Sequence, residues 1–365
     1  MSQQAIAVPL SLDVSSDALK TGEFLSHSAI AEPSCAVLLR ARDGLILHQA
    51  LYAAAKLGVA DHLDGAWRSA VDLAGDLKVH EGALYRTLRL LASQGIFEEN
   101  EARCFKNNQV SGFLRTGVPG SVRPLLLFWG SDIHYPCFGR ILHSIETGES
   151  SRTVLSGSDV FEDLRQNPEE ARIFDDAMTT MSELVGPAIA SAYDFGAWES
   201  LMDVGGGNGI LLSQILRAHP GVRGVLADRE DVLTRARERG YLGGDLEGRA
   251  SMEPCNFFEQ IPAGCRAYLM KSVIHDWDEE QARIILANCR KAIPDDGVLL
   301  LVEWDLLAEN VPSNGKFIDL VMLVLTGGRE RTTDEYRELL ASAGFRLNKV
   351  FPTAAQIAVI EAFPV

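Results

Sequence analysis

Residues 201–209 read Leu-Met-Asp-Val-Gly-Gly-Gly-Asn-Gly, an apolar lead-in with one acid, Asp203, that runs into glycines at 205, 206, 207 and 209. The pattern predicts a buried parallel strand ending in a loop whose backbone approaches a ligand closely. The spacing Gly205-x-Gly207-x-Gly209 differs from the G-x-G-x-x-G of dinucleotide folds, where Ile210 would have to be glycine. No Lys-Ser/Thr pair follows, so a phosphate-cradling loop is excluded. A loop without a phosphate grip suits a nucleoside ligand that carries no pyrophosphate. On this stretch alone, a glycine-rich turn with no ligand stays open.

Outward from this loop the chain alternates strand and helix. Strands are expected at 201–204, at 224–227 ending in Asp228, at 267–270, and at 298–302 ending in Glu303. Helices are expected at 210–217, 279–292 and 333–342, and a closing antiparallel pair at 347–350 and 357–362. Such alternation implies an α/β, doubly wound, Rossmann-like parallel sheet with ligands at the carboxyl ends of its strands.

Upstream the rhythm is helical. Leu45, Leu47, Ala50, Leu51, Ala54 and Leu57 share one face of a helix that Gly58 ends. Helices at 70–77 and 82–93, the latter closed by Gly95, and a hairpin at 96–106 make a winged helix. Its presumed second and third helices mix Asp72, Asp76 and Glu81 with Arg86 and Arg89. That mixture favours a structural or dimerising role over DNA reading. Helical stretches at 125–145 and 160–192 follow, separated by a Gly/Ser-rich segment at 148–158. The expected organisation is an arm over 1–34, a helical winged-helix dimerisation and lid domain over 35–190, and a catalytic domain over 191–365. So many amphipathic helices before residue 190 call for a partner subunit.

The composition is that of a globular protein, 47% apolar and 23% charged over 365 residues. A formal charge of −16 argues against a nucleic-acid partner. Six cysteines, at 35, 104, 137, 255, 265 and 289, show no metal-binding spacing and read as free thiols of a reducing cytoplasm. Neither a signal peptide nor an apolar run of membrane-spanning length is visible.

Asp228, 25 positions after Asp203, suits an acceptor for both hydroxyls of a ribose. Capping of the next helix is the alternative, though Asp231 is available for that. The second constellation is Lys271–Asp278, KSVIHDWD. Asp278 and Gln281 form a capping box, which explains the acids Asp278, Glu279 and Glu280. His275 has no such explanation. With Glu303 at the next strand end and Glu330 in the segment GGRERT, it makes a general base whose tautomer and charge a carboxylate would support. A metal site built from the same residues is the rival reading, against which stands the lack of a dedicated ligand pattern.

LMDVGGGNG, IHDWD, a strand ending in Glu303 and GGRERT, in this order, resemble the SAM-dependent O-methyltransferases of plant phenolic and bacterial natural-product metabolism, where SAM is S-adenosyl-L-methionine. The similarity runs from about residue 40 to the C-terminus. It implies a class I methyltransferase sheet and an intertwined homodimer built by the N-terminal half. It makes His275 the base, flanked by Glu303 and Glu330. It assigns Asp203, Gly205, Gly206, Gly207 and Asp228 to SAM, with Lys271 near its carboxylate or adenine side. Asn256 and Phe257 stand where relatives carry Asp-Met or Asp-Phe beside the adenine. Asn256 departs from that pattern, but its amide oxygen still suits the adenine amino group. Phe128, Trp129, His134, Phe174, Met178, Met181, Trp277 and Met322 are candidates to line a pocket for a flat aromatic acceptor. Two rivals remain at this level: a SAM-binding relative doing hydroxylation, elimination or pericyclic chemistry, and a non-catalytic winged-helix sensor, for which a basic recognition helix is missing.

Overall fold

The structure, a computed structural model, describes residues 35–365; the arm expected over 1–34 lies outside them. The chain divides into two compact units, one ending at Asp132 and one spanning Ile133–Val365.

The first unit opens with α1 (Ala36–Leu57), ended by Gly58 in the left-handed conformation, its N–H donating back to the carbonyls of Ala54 and Ala55. There follow α2 (Val59–His62), β1 (Arg68–Ser69), α3 (Ala70–Leu77), α4 (Glu81–Ser93), β2 (Phe97–Glu99), β3 (Cys104–Asn107), α5 (Gln109–Gly112) and α6 (Arg123–Trp129). Ser69 caps α3 by accepting from Asp72 N–H. The expected hairpin forms from β2 and β3, and β1 adds a third antiparallel strand to it. Leu73, Leu84, Leu88, Leu91, Phe97 and Phe105 make the core beneath this wing. The apolar face of α1 joins that core from Leu47 onward, but Leu45 does not: it is 53% exposed. Val37, Leu38, Leu39 and Ile46 are exposed with it.

The second unit begins with α7 (Tyr135–Phe138), α8 (Ile141–Thr147), α9 (Ser151–Ser156), α10 (Val160–Gln166) and α11 (Pro168–Ala192). The Gly/Ser-rich segment is therefore a short helix rather than an interruption. Its serine and glycine are the caps: Ser150 accepts from Thr153 N–H, and Gly157 turns left-handed at the other end. The division at 132/133 precedes the boundary expected near 190, because α11 packs against α12 and β10 of the sheet. Strand–helix rhythm marks where the sheet begins, not which helices cluster with it.

The sheet region comprises β4 (Ser200–Val204), α12 (Ile210–Ala218), β5 (Arg223–Asp228), α13 (Glu230–Arg239), β6 (Ala250–Pro254), β7 (Ala267–Lys271), α14 (Glu279–Ala292) and β8 (Val298–Trp304). It closes with α15 (Asn314–Leu325), α16 (Thr333–Ser342), β9 (Phe345–Pro352) and β10 (Ile357–Pro364). The strand order is β6-β5-β4-β7-β8-β10-β9. The first five strands run parallel, and β10 pairs antiparallel with both β8 and β9, as a closing hairpin. Every residue of β8 and residues 267–270 of β7 are buried, as strands covered on both faces must be. The chain leaves β4 toward β5 on one side and returns as β7 on the other, so the crevice for a ligand opens at the carboxyl ends of β4, β5 and β7.

Candidate active site

β4 hands over to a loop in which Gly205, Gly207 and Gly209 all adopt positive φ (72°, 58° and 77°). A β-carbon on Gly206 would lie 2.5 Å from Asp203 Oδ2, so the carboxylate is pressed beneath the loop. Asp203 is 1% exposed, and neither oxygen has a hydrogen-bond partner among the described residues. Burial pushes its carboxyl up to about 7 against the pull of the Lys271 ammonium. Burial also lowers the Lys271 amine, opposed by Glu303, Asp203 and Asp276. Asp228, at the end of β5, accepts from Gly207 N–H (2.9 Å) and Arg229 N–H (2.7 Å). Its carboxyl is nonetheless pushed up to about 6 by burial. Asn208 Nδ2 donates to Thr179 Oγ1 at 2.9 Å and ties the loop to α11. A β-carbon on Gly205 would lie 3.7 Å from the Phe257 ring. Asn256 is exposed, its amide oxygen accepting from Phe258 N–H at 3.2 Å and its amide nitrogen donating to Glu259. That oxygen, expected to suit the adenine amino group, already has one local donor.

His275 sits in a single 3-10 turn, Ile274–Asp276, directly after β7, and is 5% exposed. Its Nδ1 is 2.6 Å from Glu330 Oε1 and 3.6 Å from Glu303 Oε2. Glu303 Oε1 accepts from Ile274 N–H at 3.1 Å. Of the two expected carboxylates, Glu330 makes the bond to the ring, while Glu303 stands farther off and holds the backbone of the turn. The cause is a close approach of two loops. A β-carbon on Gly328 would lie 2.0 Å from His275 O, so only glycine lets the 327–331 loop lie on the turn. There Arg329 N–H donates to His275 O at 2.8 Å, and Glu330 is delivered beside the ring. Burial pushes the Glu303 carboxyl up to about 7 and that of Glu330 to about 8. The sequence reading missed Asp276, whose Oδ1 lies 3.8 Å from His275 Nε2 and whose carboxyl burial pushes up to about 7. The signal was its adjacency to His275. Asp278 caps α14 by accepting from Gln281 N–H, which is one half of the expected capping box.

The aromatic candidates separate. Trp277 stacks on Phe161 (centroids 5.1 Å, 27°) and meets Phe257 and Phe258 edge-on. Phe174 stands edge-on to Phe161. Phe161, which the sequence reading left out, is thus the piece that links them. Met178 and Met181 are half-buried on α11, and Met322 is buried on α15. His134 is wholly buried with Nε2 3.3 Å from Arg152, itself paired with Asp163. Burial holds that imidazole down at about 3, so it is a neutral member of the α9–α10 packing. Trp129 belongs to the first unit, edge-on to Phe128.

The chain and its fold resemble those of known enzymes. The chain matches the O-methyltransferase domain over residues 145–346 and the O-methyltransferase dimerisation domain over 39–117. It is 37% identical to the phenazine O-methyltransferase PhzM of Lysobacter antibioticus, over 93% of this chain and 99% of that one. It is 31% identical to the phenazine-1-carboxylate N-methyltransferase of Pseudomonas aeruginosa, over 82% and 88% of the two chains. Its fold matches an O-methyltransferase (NcsB1) from neocarzinostatin biosynthesis, solved with S-adenosyl-L-homocysteine and 1,4-dihydroxy-2-naphthoic acid. There the TM-score is 0.77 at 33% identity, over 90% and 98% of the chains. The residues present fit SAM: the orphaned, buried Asp203 carboxylate lies under the glycine loop, where an ammonium would satisfy it. The sheet order, the glycine loop and the matches together make this chain a member of the SAM-dependent O-methyltransferase family, with a class I methyltransferase fold and its own dimerisation domain.

Proposed function

We propose that this chain works as a cytoplasmic homodimer that transfers a methyl group to a hydroxyl of a flat phenolic or polycyclic natural product, with His275 as general base. The observation that carries the reading is the buried bond between His275 Nδ1 and Glu330. An ionised Glu330 keeps the proton on Nδ1 and leaves the Nε2 lone pair for the acceptor. SAM supplies a methyl on a positively charged sulfur, which keeps the electron pair of the broken carbon–sulfur bond. As the acceptor oxygen bonds the methyl carbon, its proton passes to Nε2, and Glu330 stabilises the imidazolium. A phenol is mostly protonated at neutral pH, so this transfer matters. Holding the reactants in line supplies a further share, up to ~7–11 kcal/mol in favourable cases.

The names of the relatives support the acceptor class, which spans phenazines and naphthoic acids. Met178, Met181 and Met322, half-buried to buried on two helices, suit a flat apolar guest. The N-methyltransferase relative makes nitrogen the second candidate. A heteroaromatic nitrogen already presents a lone pair and needs no base, so the His275–Glu330 pair favours oxygen. The same pair speaks for methyl transfer over a reaction in which SAM is only a structural element.

We also hold that the reaction needs no metal. Nδ1 and the carboxylates of Glu303 and Glu330 do lie within 4.8 Å of one another. Two donors on one tetrahedral zinc would stand roughly 3.4 Å apart, however, given its bond lengths. The 2.6 Å between Nδ1 and Glu330 is a hydrogen bond instead. Turnover that disappears with EDTA and returns with a divalent ion would overturn this.

The test uses methyl-labelled SAM and a panel of hydroxyphenazines, dihydroxynaphthoates and hydroxybenzoates, with products read by mass spectrometry. His275→Asn is expected to keep SAM affinity and to lower turnover by roughly 10²–10⁴. A variant that methylates a weakly acidic phenol at the wild-type rate would remove His275 from the role.

A further inference from the structure

Arg331 is the residue of GGRERT that the mechanism leaves unused. It is 2% exposed, a burial that a guanidinium tolerates only when its donors are satisfied. Its Nη1 donates to Ile274 O (3.3 Å) and Arg329 O (3.4 Å). Its Nη2 donates to Trp277 O (3.2 Å) and to Glu279 Oε2 (3.3 Å), which Nε also reaches. Ile274 and Trp277 flank the segment His275–Asp276, and Arg329 N–H holds the carbonyl of His275 itself. The turn that carries the base is therefore gripped through three of its carbonyls by one short loop, which also supplies Glu330.

We propose that Arg331 is a positioning residue of methyl transfer: its guanidinium clasps the backbone on both sides of His275 and sets a fixed positive charge behind Glu303 and Glu330. The inference rests on the reading of His275 as base. A planar fork with several donors suits this task, because two carbonyls and a carboxylate must be met at once from one buried point. Lysine has the charge but not the fork.

The charge counts because the surroundings are acidic. His275 and Asp276 face the cluster from the turn, Glu303 from β8, Asp319 from α15, Glu279 from α14, Tyr336 from α16 and Lys271 from β7. Glu330 N–H donates to Asp319, which places another carboxylate beside it. Arg331 pulls the carboxyls of both Glu303 and Glu330 downward against burial. Without that pull, the glutamates hold their protons to higher pH, and a protonated Glu330 cannot stabilise an imidazolium.

The experiment compares wild type with Arg331→Gln and Arg331→Lys on the acceptor panel above. Arg331→Gln should lower kcat at least roughly tenfold, with KM for SAM nearly unchanged. It should also move the acidic limb of the kcat profile up by about one pH unit. Arg331→Lys should return the limb to its wild-type position while recovering only part of kcat. A merely structural residue would scale the whole profile and leave the limb in place, and that outcome overturns the proposal. So does an Arg331→Lys limb that coincides with that of Arg331→Gln, or an Arg331→Lys kcat equal to wild type. If Arg331→Gln does not fold, the position of the limb and the kcat in Arg331→Lys decide. Hydrogen exchange needs no acceptor: the amides of Ile274 and Asp276 should exchange faster in Arg331→Gln than in wild type. Unchanged exchange there sinks the clasp. Should His275→Asn retain full turnover, the base reading fails by itself, and the exchange data still judge the clasp.

Discussion

At the scale of single residues, the two glutamates beside His275 are not equivalent. Glu330 contacts the ring at 2.6 Å, whereas Glu303 stands at 3.6 Å and holds Ile274 N–H. Glu330→Gln should therefore cost more turnover than Glu303→Gln, and steady-state kinetics on one acceptor would reverse the assignment if the order were opposite. With His275 as the proposed base, the glutamate carboxyls at about 7 and about 8 should set the pH dependence. Activity should rise with pH through that window, since the supporting charges appear only as the glutamates ionise. Activity already maximal at pH 6 would contradict the role given to Glu330. Asp228 is a separate case. It holds Gly207 and Arg229 through their N–H groups, and a ribose would add further donors. Asp228→Ala should weaken SAM binding by about 1.5–3 kcal/mol, and calorimetry giving an unchanged Kd would take it out of the site.

At the scale of elements, the parts with strong periodicity were legible. The helices 70–77, 279–292 and 333–342 stand at the bounds read from the sequence, and β5 and β8, which carry Asp228 and Glu303 at or next to their last residues, deliver both acids to the crevice. What escaped lacked a one-face signal. β6 is an edge strand with mostly exposed residues, α13 is dominated by charge, and α9 hides between its own caps. Which of the two glutamates contacts the ring was not legible, because that depends on how two loops touch, 55 residues apart, and Gly328 is the trace of that contact in the chain. That trace gives a prediction. Gly328→Ala would set a methyl 2.0 Å from His275 O and force the loops apart, at a cost of roughly 1–3 kcal/mol in stability. Turnover should fall further than the melting temperature implies, while SAM affinity changes little. An alanine variant with wild-type kcat would show that the loop contact does not position the base.

At the scale of the whole molecule, two properties follow from surfaces and charge. Val37, Leu38, Leu39, Leu45 and Ile46 expose an apolar stretch of α1, within or beside the matched dimerisation domain. Burying such a stretch against a second copy is favourable, so light scattering should give twice the 39.8 kDa chain mass. A monomer at micromolar concentration would refute the homodimer. The second property is a stability that falls as pH rises. Asp203, Asp228, Asp276, Glu303 and Glu330 all have folded-state carboxyls raised by burial, to between about 6 and about 8, from ordinary values of 3.8 and 4.5. Between those limits the folded chain binds more protons than the unfolded one. Linkage then requires the stability contributed by these groups to be present in full below their ordinary values and to be lost as pH rises through about 6 to 8. The protein without SAM should thus melt at a lower temperature at pH 8.5 than at pH 6. Glu330→Gln, neutral at every pH, should flatten the slope. A cationic ligand seated among these carboxylates opposes the same repulsion, so SAM should raise the melting temperature more at pH 8.5 than at pH 6. If the ligand-free protein instead grows more stable over this range, the buried acids are better compensated than their surroundings indicate, and the electrostatic reading of the site falls with them.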